Sequence, residues 1–103
     1  MKKEESQSSL NIEFSGFRDI DESSMNIIKK VVDNHARRIS ELTKKIELIK
    51  ITLKPIHERE KSEKYEIHAI LSDNGKVYAS ETIGRNLLSS VDEALNKLIN
   101  ELS

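Results

Sequence analysis

The first 45 residues combine a strand pattern with a long helix pattern. Residues 1–9 are polar and aperiodic, so we expect a disordered tail there. Apolar and polar residues alternate over positions 10–14, which predicts a half-buried strand that ends at Gly16. Asp21 is a typical N-cap residue, and the helix that it begins is predicted to end near Lys45. The apolar stripe predicted for this helix consists of Ile28, Val31, Val32, His35, Ile39 and Leu42.

Two strands and a hairpin turn are predicted after this helix. Residues 46–54 alternate between apolar and polar side chains, which predicts a second strand that ends before Pro55. A solvated loop is expected over residues 55–63, and the alternation at residues 65–71 predicts a third strand. The Asp-Asn-Gly sequence at 73–75 is typical of a tight hairpin, because Asn and Gly accept the positive φ of the turn.

The remaining sequence predicts a fourth strand and a second helix. Val77 and Ala79 are taken as the inward residues of a strand that ends near Ile83, although Glu81 falls in the same inward set. The apolar residues after this strand recur at helical spacing and form a second amphipathic helix. They are Leu87, Leu88, Val91, Ala94, Leu95, Leu98, Ile99 and Leu102.

The predicted order of elements is therefore β-α-β-β-β-α. A helical crossover allows the first two strands to be parallel, whereas short turns make the later strands antiparallel. Each helix has one apolar stripe and each strand has one apolar face. We therefore predict an α+β two-layer sandwich, a four-stranded mixed sheet with two helices on one face. The opposite face of the sheet is predicted to be solvated and to carry Lys50, Lys54, Lys64, Glu66, His68 and Tyr78.

Length and composition restrict the classes of protein that this pattern can represent. The chain has 103 residues, which suits one domain, assigned to residues 10–103. It has no cysteine, so a disulfide scaffold and a thiolate metal site are excluded. No apolar run approaches the roughly 18 residues of a membrane span, so we expect no membrane contact. A cytoplasmic location is the resulting expectation.

The formal net charge of −1 conceals an uneven distribution of charge. Residues 29–54 contain eight basic and three acidic residues, a net charge of +5, so the rest of the chain carries −6. On a helical projection, the basic residues of the first predicted helix lie opposite its apolar stripe. A charged ridge of this kind is commonly only a solvated surface. It is also suited to the phosphates of a folded RNA, and the scarcity of aromatic residues disfavours base stacking.

The residues that catalysis or metal binding would require do not cluster in the sequence. His35 lies on an apolar stripe, and we interpret it as a core or rim residue rather than a ligand. His57 and His68 are predicted on a loop and a strand, and no pair of histidines has the helical spacing of a metal site. The three glycines are widely separated and form no phosphate-binding loop. We expect no enzymatic activity, small-molecule substrate, metal or cofactor.

Three segments resemble the ribosome hibernation-promoting factors, also called ribosome-associated translation inhibitors. They are Asn-Ile-Glu-Phe-Ser-Gly at 11–16, Lys-Tyr-Glu-Ile-His-Ala at 64–69 and Val-Asp-Glu-Ala-Leu-Asn-Lys-Leu at 91–98. The resemblance extends over residues 10–102 and includes the order of elements. It implies a short-form factor of the stress response that regulates translation. Such a factor binds ribosomal RNA of the small ribosomal subunit and blocks the sites of messenger and transfer RNA.

The resemblance also implies which residues contact RNA. Members of the family use basic residues of both helices and of the sheet. The candidates here are Lys29, Lys30, Arg37, Arg38, Lys44 and Lys45 in the basic ridge, Lys50 and Lys54 in the sheet, and Arg85 and Lys97 near the second helix. Residues 86–102 differ from the family because they carry a net charge of −2 where its members are usually basic. This acidic helix is also compatible with a protein partner or a second copy of the domain.

A second hypothesis does not involve RNA. The chain would be a non-catalytic protein-interaction or homodimerisation module that pairs through its open sheet face or its last strand edge. Ile70 and Tyr78 would be the apolar anchors of that contact.

Overall fold

The computed structural model describes residues 11–57 and 63–102, and its elements follow the predicted order. The elements are β1 (Ile12–Ser15), α1 (Glu22–Leu42), β2 (Ile46–His57), β3 (Glu63–Asp73), β4 (Lys76–Gly84) and α2 (Leu87–Leu102). The tail predicted over residues 1–9 lies outside the described residues. Within the described part of the chain, neither helix has the length and apolar composition that crossing a membrane requires.

The four strands form one mixed sheet in the order β1-β2-β3-β4. β1 is parallel to β2, and the other two pairings are antiparallel. One face of the sheet and the apolar stripes of both helices form the core, so the predicted α+β two-layer sandwich is confirmed. The largest fully buried side chains are Ile28, Val32, Ile39, Ile49, Ile51, Ile67, Leu71, Val91, Leu95 and Leu98.

The stripe of α1 that enters the core differs at its C-terminal end from the predicted one. Ala36 is buried, whereas Leu42 is 42% exposed. Val31 and His35 are only partly buried at the margin of the stripe. The core therefore uses the short side chain of Ala36, which the hydrophobic pattern alone did not single out.

α1 ends earlier than predicted, so Lys44 and Lys45 are not in its last turn. The last helical residue is Leu42, and Thr43 is the C-cap. The Thr43 hydroxyl donates a hydrogen bond to the carbonyl oxygen of Ile39 at 2.9 Å, which satisfies one of the carbonyls at the helix end. The prediction of a helix to Lys45 was wrong. A pair of lysines does not by itself show whether it lies in the last turn of a helix or just after the helix.

β2 continues through Pro55, where the sequence predicted its end. The parallel partner β1 ends at Ser15, which pairs with Thr52. Beyond Thr52 none of the described strands pairs with that side of β2, and proline is tolerated there because it removes no hydrogen bond of the described ladder. Pro55 instead pairs with Tyr65 of β3. The predicted loop is thus wrong for residues 55–57 and for Glu63, which is the first residue of β3, and residues 58–62 lie outside the described part.

The orientation of β4 is the reverse of the predicted one. Tyr78 is partly buried against the core and Thr82 is 5% exposed. The even-numbered residues of β4 from Tyr78 to Thr82 therefore face the helices. Val77 and Ala79 face the open side, and Val77 is 68% exposed. The assignments of Val77 and Ala79 to the core and of Tyr78 to the solvated face were therefore wrong.

Hydrogen bonds to α2 explain why polar residues of β4 face inward. The hydroxyl of Ser80 donates to the carbonyl oxygen of Ala94 at 2.7 Å, and that of Thr82 donates to the carbonyl oxygen of Ser90 at 2.9 Å. The helix lies close to the strand, since a Cβ added at Gly84 would be only 2.7 Å from Oγ of Ser90. Short hydroxyl side chains fit this narrow space and are satisfied in it.

Candidate nucleic-acid interface

The predicted basic residues are distributed over both layers of the fold. The four on α1, Lys29, Lys30, Arg37 and Arg38, are all exposed on the helix layer. Lys50 and Lys54 lie on the face of the sheet that is opposite the helices, where Lys50 is only partly exposed. The net charge of +5 over residues 29–54 therefore does not belong to a single surface.

The basic side chains of α1 fall in two columns of different charge. Positions 29, 33, 37 and 41 follow one another at a spacing of four residues and alternate in sign, because Asp33 and Glu41 separate the basic residues. The neighbouring column contains Lys30, Asn34 and Arg38 and has no acidic residue. The second column is thus the part of α1 that best suits a row of phosphates. We call it the Lys30–Arg38 column.

The Lys30–Arg38 column borders a groove between the two helices. On one side the groove is lined by Asn34, His35 and Arg38 of α1, and on the other by Asn96 and Ile99 of α2. Two amides and a guanidinium therefore face the same space, and each can donate hydrogen bonds to phosphate or sugar oxygens. The sequence did not single out Asn34 or Asn96, because their proximity depends on how the helices pack.

His35 lines this groove, and both of its ring nitrogens have a contact. Its Nδ1 lies 2.8 Å from the carbonyl oxygen of Val31, and its Nε2 lies 3.1 Å from Oδ1 of Asp92. Asp92 also accepts a hydrogen bond from the amide of Asn96 at 3.3 Å. The interpretation of His35 as a satisfied rim residue is confirmed, and its partner Asp92 is one of the acidic residues of α2.

A buried carboxylate fixes the position of Lys44 and Lys45. Asp73, at the end of β3, is 8% exposed. Its Oδ1 accepts hydrogen bonds from the backbone N–H groups of Lys44 at 3.2 Å and Lys45 at 2.8 Å. The N–H of Asn74 donates to the carbonyl oxygen of Lys45 at 3.0 Å. The hairpin therefore holds the turn after α1, and both lysine side chains extend from it into solvent.

Lys97 and Arg85, the candidates near the second helix, are both exposed but lie in different local settings. Lys97 is in α2, and its Nζ donates a hydrogen bond to the carbonyl oxygen of Glu81 at 3.0 Å. Arg85 lies in the connection between β4 and α2. Neither residue is among those that line the groove, so α2 contributes one amide group there, that of Asn96, rather than positive charge.

Comparison with known proteins gives matches of structure only. No protein-family model matches the chain, and no curated protein sequence matches it. A ribosomal subunit interface protein from Coxiella burnetii has the same fold, with a TM-score of 0.63 and 17% identity over 90% of this chain and 93% of that chain. The N-terminal domain of Protein Y from Thermus thermophilus has a TM-score of 0.57 and 17% identity over 91% of this chain and 94% of that chain. At such identity the likeness establishes the fold, and it is consistent with the resemblance to hibernation-promoting factors.

Proposed function

We propose that this protein associates with the ribosome and binds ribosomal RNA of the small subunit through the outer surface of α1. The observation that carries the proposal is the fold, which is shared over 90% of the chain with a protein described as a ribosomal subunit interface protein. The exposed Lys30–Arg38 column supplies a surface that suits RNA. In this proposal the protein regulates translation by occupying messenger and transfer RNA sites, as the resemblance to hibernation factors implies, without any chemical reaction.

The recognition mechanism follows from the side chains available on this surface. Lys30 and Arg38 would neutralise phosphates and release their counterions, so the affinity should fall steeply as the salt concentration rises. Asn34 and Asn96 would add hydrogen bonds to the RNA backbone. Contacts of this type fix the position of the protein on the RNA and depend little on the RNA sequence. Specificity would then come from the shape of the folded RNA that fits the helix layer.

Co-sedimentation with purified small ribosomal subunits tests this proposal. We expect the wild-type protein to sediment with the subunits at low salt and to be released at high salt. The double variant Arg37→Glu and Arg38→Glu should remain in the supernatant at both salt concentrations. Both side chains are exposed on the helix, so the variant should keep the circular dichroism spectrum of the wild type.

A matched variant on the other layer tests which surface is used. Lys50→Glu with Lys54→Glu changes the net charge by the same amount as the α1 double variant, but on the open sheet face. The proposal expects this protein to sediment nearly as the wild type does. Binding that survives the α1 reversal, or that is lost only in the sheet variant, would overturn the α1 mechanism. Absence of wild-type binding would overturn the ribosomal role itself.

The alternative of a homodimer through the open sheet face has one structural observation in its favour. Ile70, Val77 and Ile83 lie on that face and are 37%, 68% and 55% exposed. β4 is also an edge strand, which offers unpaired backbone groups to a second chain. Tyr78 is not one of the anchors, because it faces the helices. A stable dimer in light scattering that is lost in Val77→Lys, together with no sedimentation with ribosomal subunits, would favour this alternative.

A further inference from the structure

Three side chains with metal-binding groups converge on the open face of the sheet. Glu66 and His68 are two residues apart on β3, and His68 pairs with Glu81 on β4. One ligand atom from each of the three side chains lies within 4.8 Å of the other two. The arrangement follows from the sheet itself, because alternate residues of a strand lie on one face and cross-strand partners are neighbours.

The cluster holds more negative than positive charge. His68 Nε2 lies 2.5 Å from Oε2 of Glu66, and the two side chains are 31% and 23% exposed, so solvent screens this pair only in part. A single imidazole can carry at most one positive charge, whereas the cluster has two carboxylates. Lys54 of the neighbouring strand β2 pairs with Glu66 of β3, but the Lys54 side chain is exposed. A dication between the three ligand atoms would offset both carboxylates.

The set of donor atoms determines which ions are suitable. Imidazole nitrogen and carboxylate oxygen bind Zn²⁺ at about 2.0–2.2 Å, which places tetrahedral ligand atoms about 3.3 Å apart. The His68–Glu66 separation of 2.5 Å is shorter than that value, and no separation between the three ligand atoms exceeds 4.8 Å. Each glutamate side chain has several rotatable bonds through which these distances can change. The imidazole favours Zn²⁺ and similar transition metals over Mg²⁺ and Ca²⁺.

We propose that Glu66, His68 and Glu81 form a binding site for a divalent transition-metal ion, represented by Zn²⁺. The three side chains leave at least one coordination position open to water, because they lie on a solvent-facing sheet. The sequence did not reveal this site, since its residues are spaced for strands rather than for a helix. The site lies on the face of the sheet opposite α1, so it is independent of the proposed RNA contact.

Isothermal titration of untagged, metal-free protein with Zn²⁺ tests this proposal. We expect one equivalent to bind, and we expect Mg²⁺ and Ca²⁺ to bind far more weakly. His68→Ala and Glu81→Gln should each lower the affinity for Zn²⁺ at least about tenfold. In the wild type, the imidazole nitrogen NMR signals of His68 should shift until one equivalent is added. Circular dichroism checks that each variant is folded.

His35→Ala is the matched control, because His35 lies beside one carboxylate, that of Asp92, whereas His68 lies in a cluster with two. It should bind Zn²⁺ as the wild type does. Three results would each overturn the proposal: no saturable binding of Zn²⁺ to the wild type, equal affinity in wild type and His68→Ala, or a loss of affinity only in His35→Ala. None of these results depends on whether the protein binds ribosomes, so the two proposals fail separately.

Discussion

His35 of α1 and Asp92 of α2 form a polar link between the two helices, with His35 Nε2 3.1 Å from Asp92 Oδ1. The other ring nitrogen, Nδ1, lies 2.8 Å from the carbonyl oxygen of Val31. A carboxylate and a carbonyl oxygen can only accept hydrogen bonds. Both contacts are therefore hydrogen bonds at the same time only when both ring nitrogens carry a proton, and in either neutral tautomer one of the two is a hydrogen bond.

The energetic coupling between these two residues should be favourable but small. Asp92 is half exposed, so the interaction is screened and we expect about 0.5–1 kcal/mol. A double-mutant cycle of His35→Ala and Asp92→Ala, followed by urea unfolding, measures it. Strict additivity of the two single substitutions would show that the link contributes nothing to the packing of α1 on α2.

Asp73 should contribute more to stability than an ordinary surface carboxylate. Its replacement by alanine leaves the N–H groups of Lys44 and Lys45 without their acceptor, so we expect a loss of about 1–3 kcal/mol in the free energy of unfolding. Asp73→Asn keeps an acceptor oxygen and should lose less. Asp33→Ala, at an exposed position of α1, is the control and should change stability by no more than about 0.5 kcal/mol. Equal losses in Asp73→Ala and Asp33→Ala would contradict this role.

Gly16 and Gly75 have nearly the same φ angle but different surroundings. Their φ angles are +87° and +88°, which are unfavourable for any residue with a Cβ. A Cβ at Gly16 would lie 2.1 Å from the carbonyl oxygen of Leu53, whereas one at Gly75 would meet nothing within 4 Å. We expect Gly75→Ala to cost about 1–2 kcal/mol, the strain of the conformation, and Gly16→Ala to cost more. Thermal unfolding of both variants compares them, and an equal loss would argue against the close approach of Gly16 to β2.

The hydrophobic pattern predicted those parts of the fold in which side-chain burial is the dominant constraint. The alternation around Ile49, Ile51 and Leu53 fixes the inward face of β2, and these residues are indeed buried. The Asp-Asn-Gly turn was also predictable, because positive φ at Asn74 and Gly75 is a local requirement. In both cases the structure depends on residues that are neighbours in the sequence.

The errors arose where a distant part of the chain determines the structure. The inward face of β4 depends on carbonyl groups of α2 that accept the hydroxyls of Ser80 and Thr82, and no local pattern shows this. The end of α1 depends on Asp73, which is 28 residues beyond Lys45. The groove beside the Lys30–Arg38 column has the same origin, because Asn96 reaches it only through the packing of the two helices. The sequence could therefore predict which basic residues lie on the helix layer and which lie on the sheet, but not the groove beside them.

The N-cap of α1 should give the protein a component of stability that depends on pH. The N–H of Ser24 donates to Oδ2 of Asp21 at 3.1 Å, and this hydrogen bond holds the pKa of Asp21 below its usual value. Because the pKa is lower in the folded state, the stabilisation is present at neutral pH and is lost as the pH falls through that lowered value. Asp21→Asn keeps a good cap but cannot titrate.

Unfolding of wild type and Asp21→Asn over a range of acidic pH isolates this component, since all other carboxylates are common to both proteins. We expect the wild type to lose stability relative to the variant as the pH falls. A difference between the two proteins that does not change with pH would contradict the role of the charged cap.

Arg37 and Arg38 are adjacent in sequence and both exposed, yet they should contribute unequally to RNA binding. Arg37 lies four residues from both Asp33 and Glu41, whose charges repel phosphate, whereas Arg38 lies four residues from Asn34 and borders the groove. We expect Arg38→Ala to weaken binding to small-subunit RNA more than Arg37→Ala and to lower the salt dependence by about one phosphate contact. Filter binding at several salt concentrations measures both effects, and each of the two variants serves as the control for the other. An equal loss in both, or a larger loss in Arg37→Ala, would show that charge along the whole helix, rather than the Lys30–Arg38 column, governs the contact.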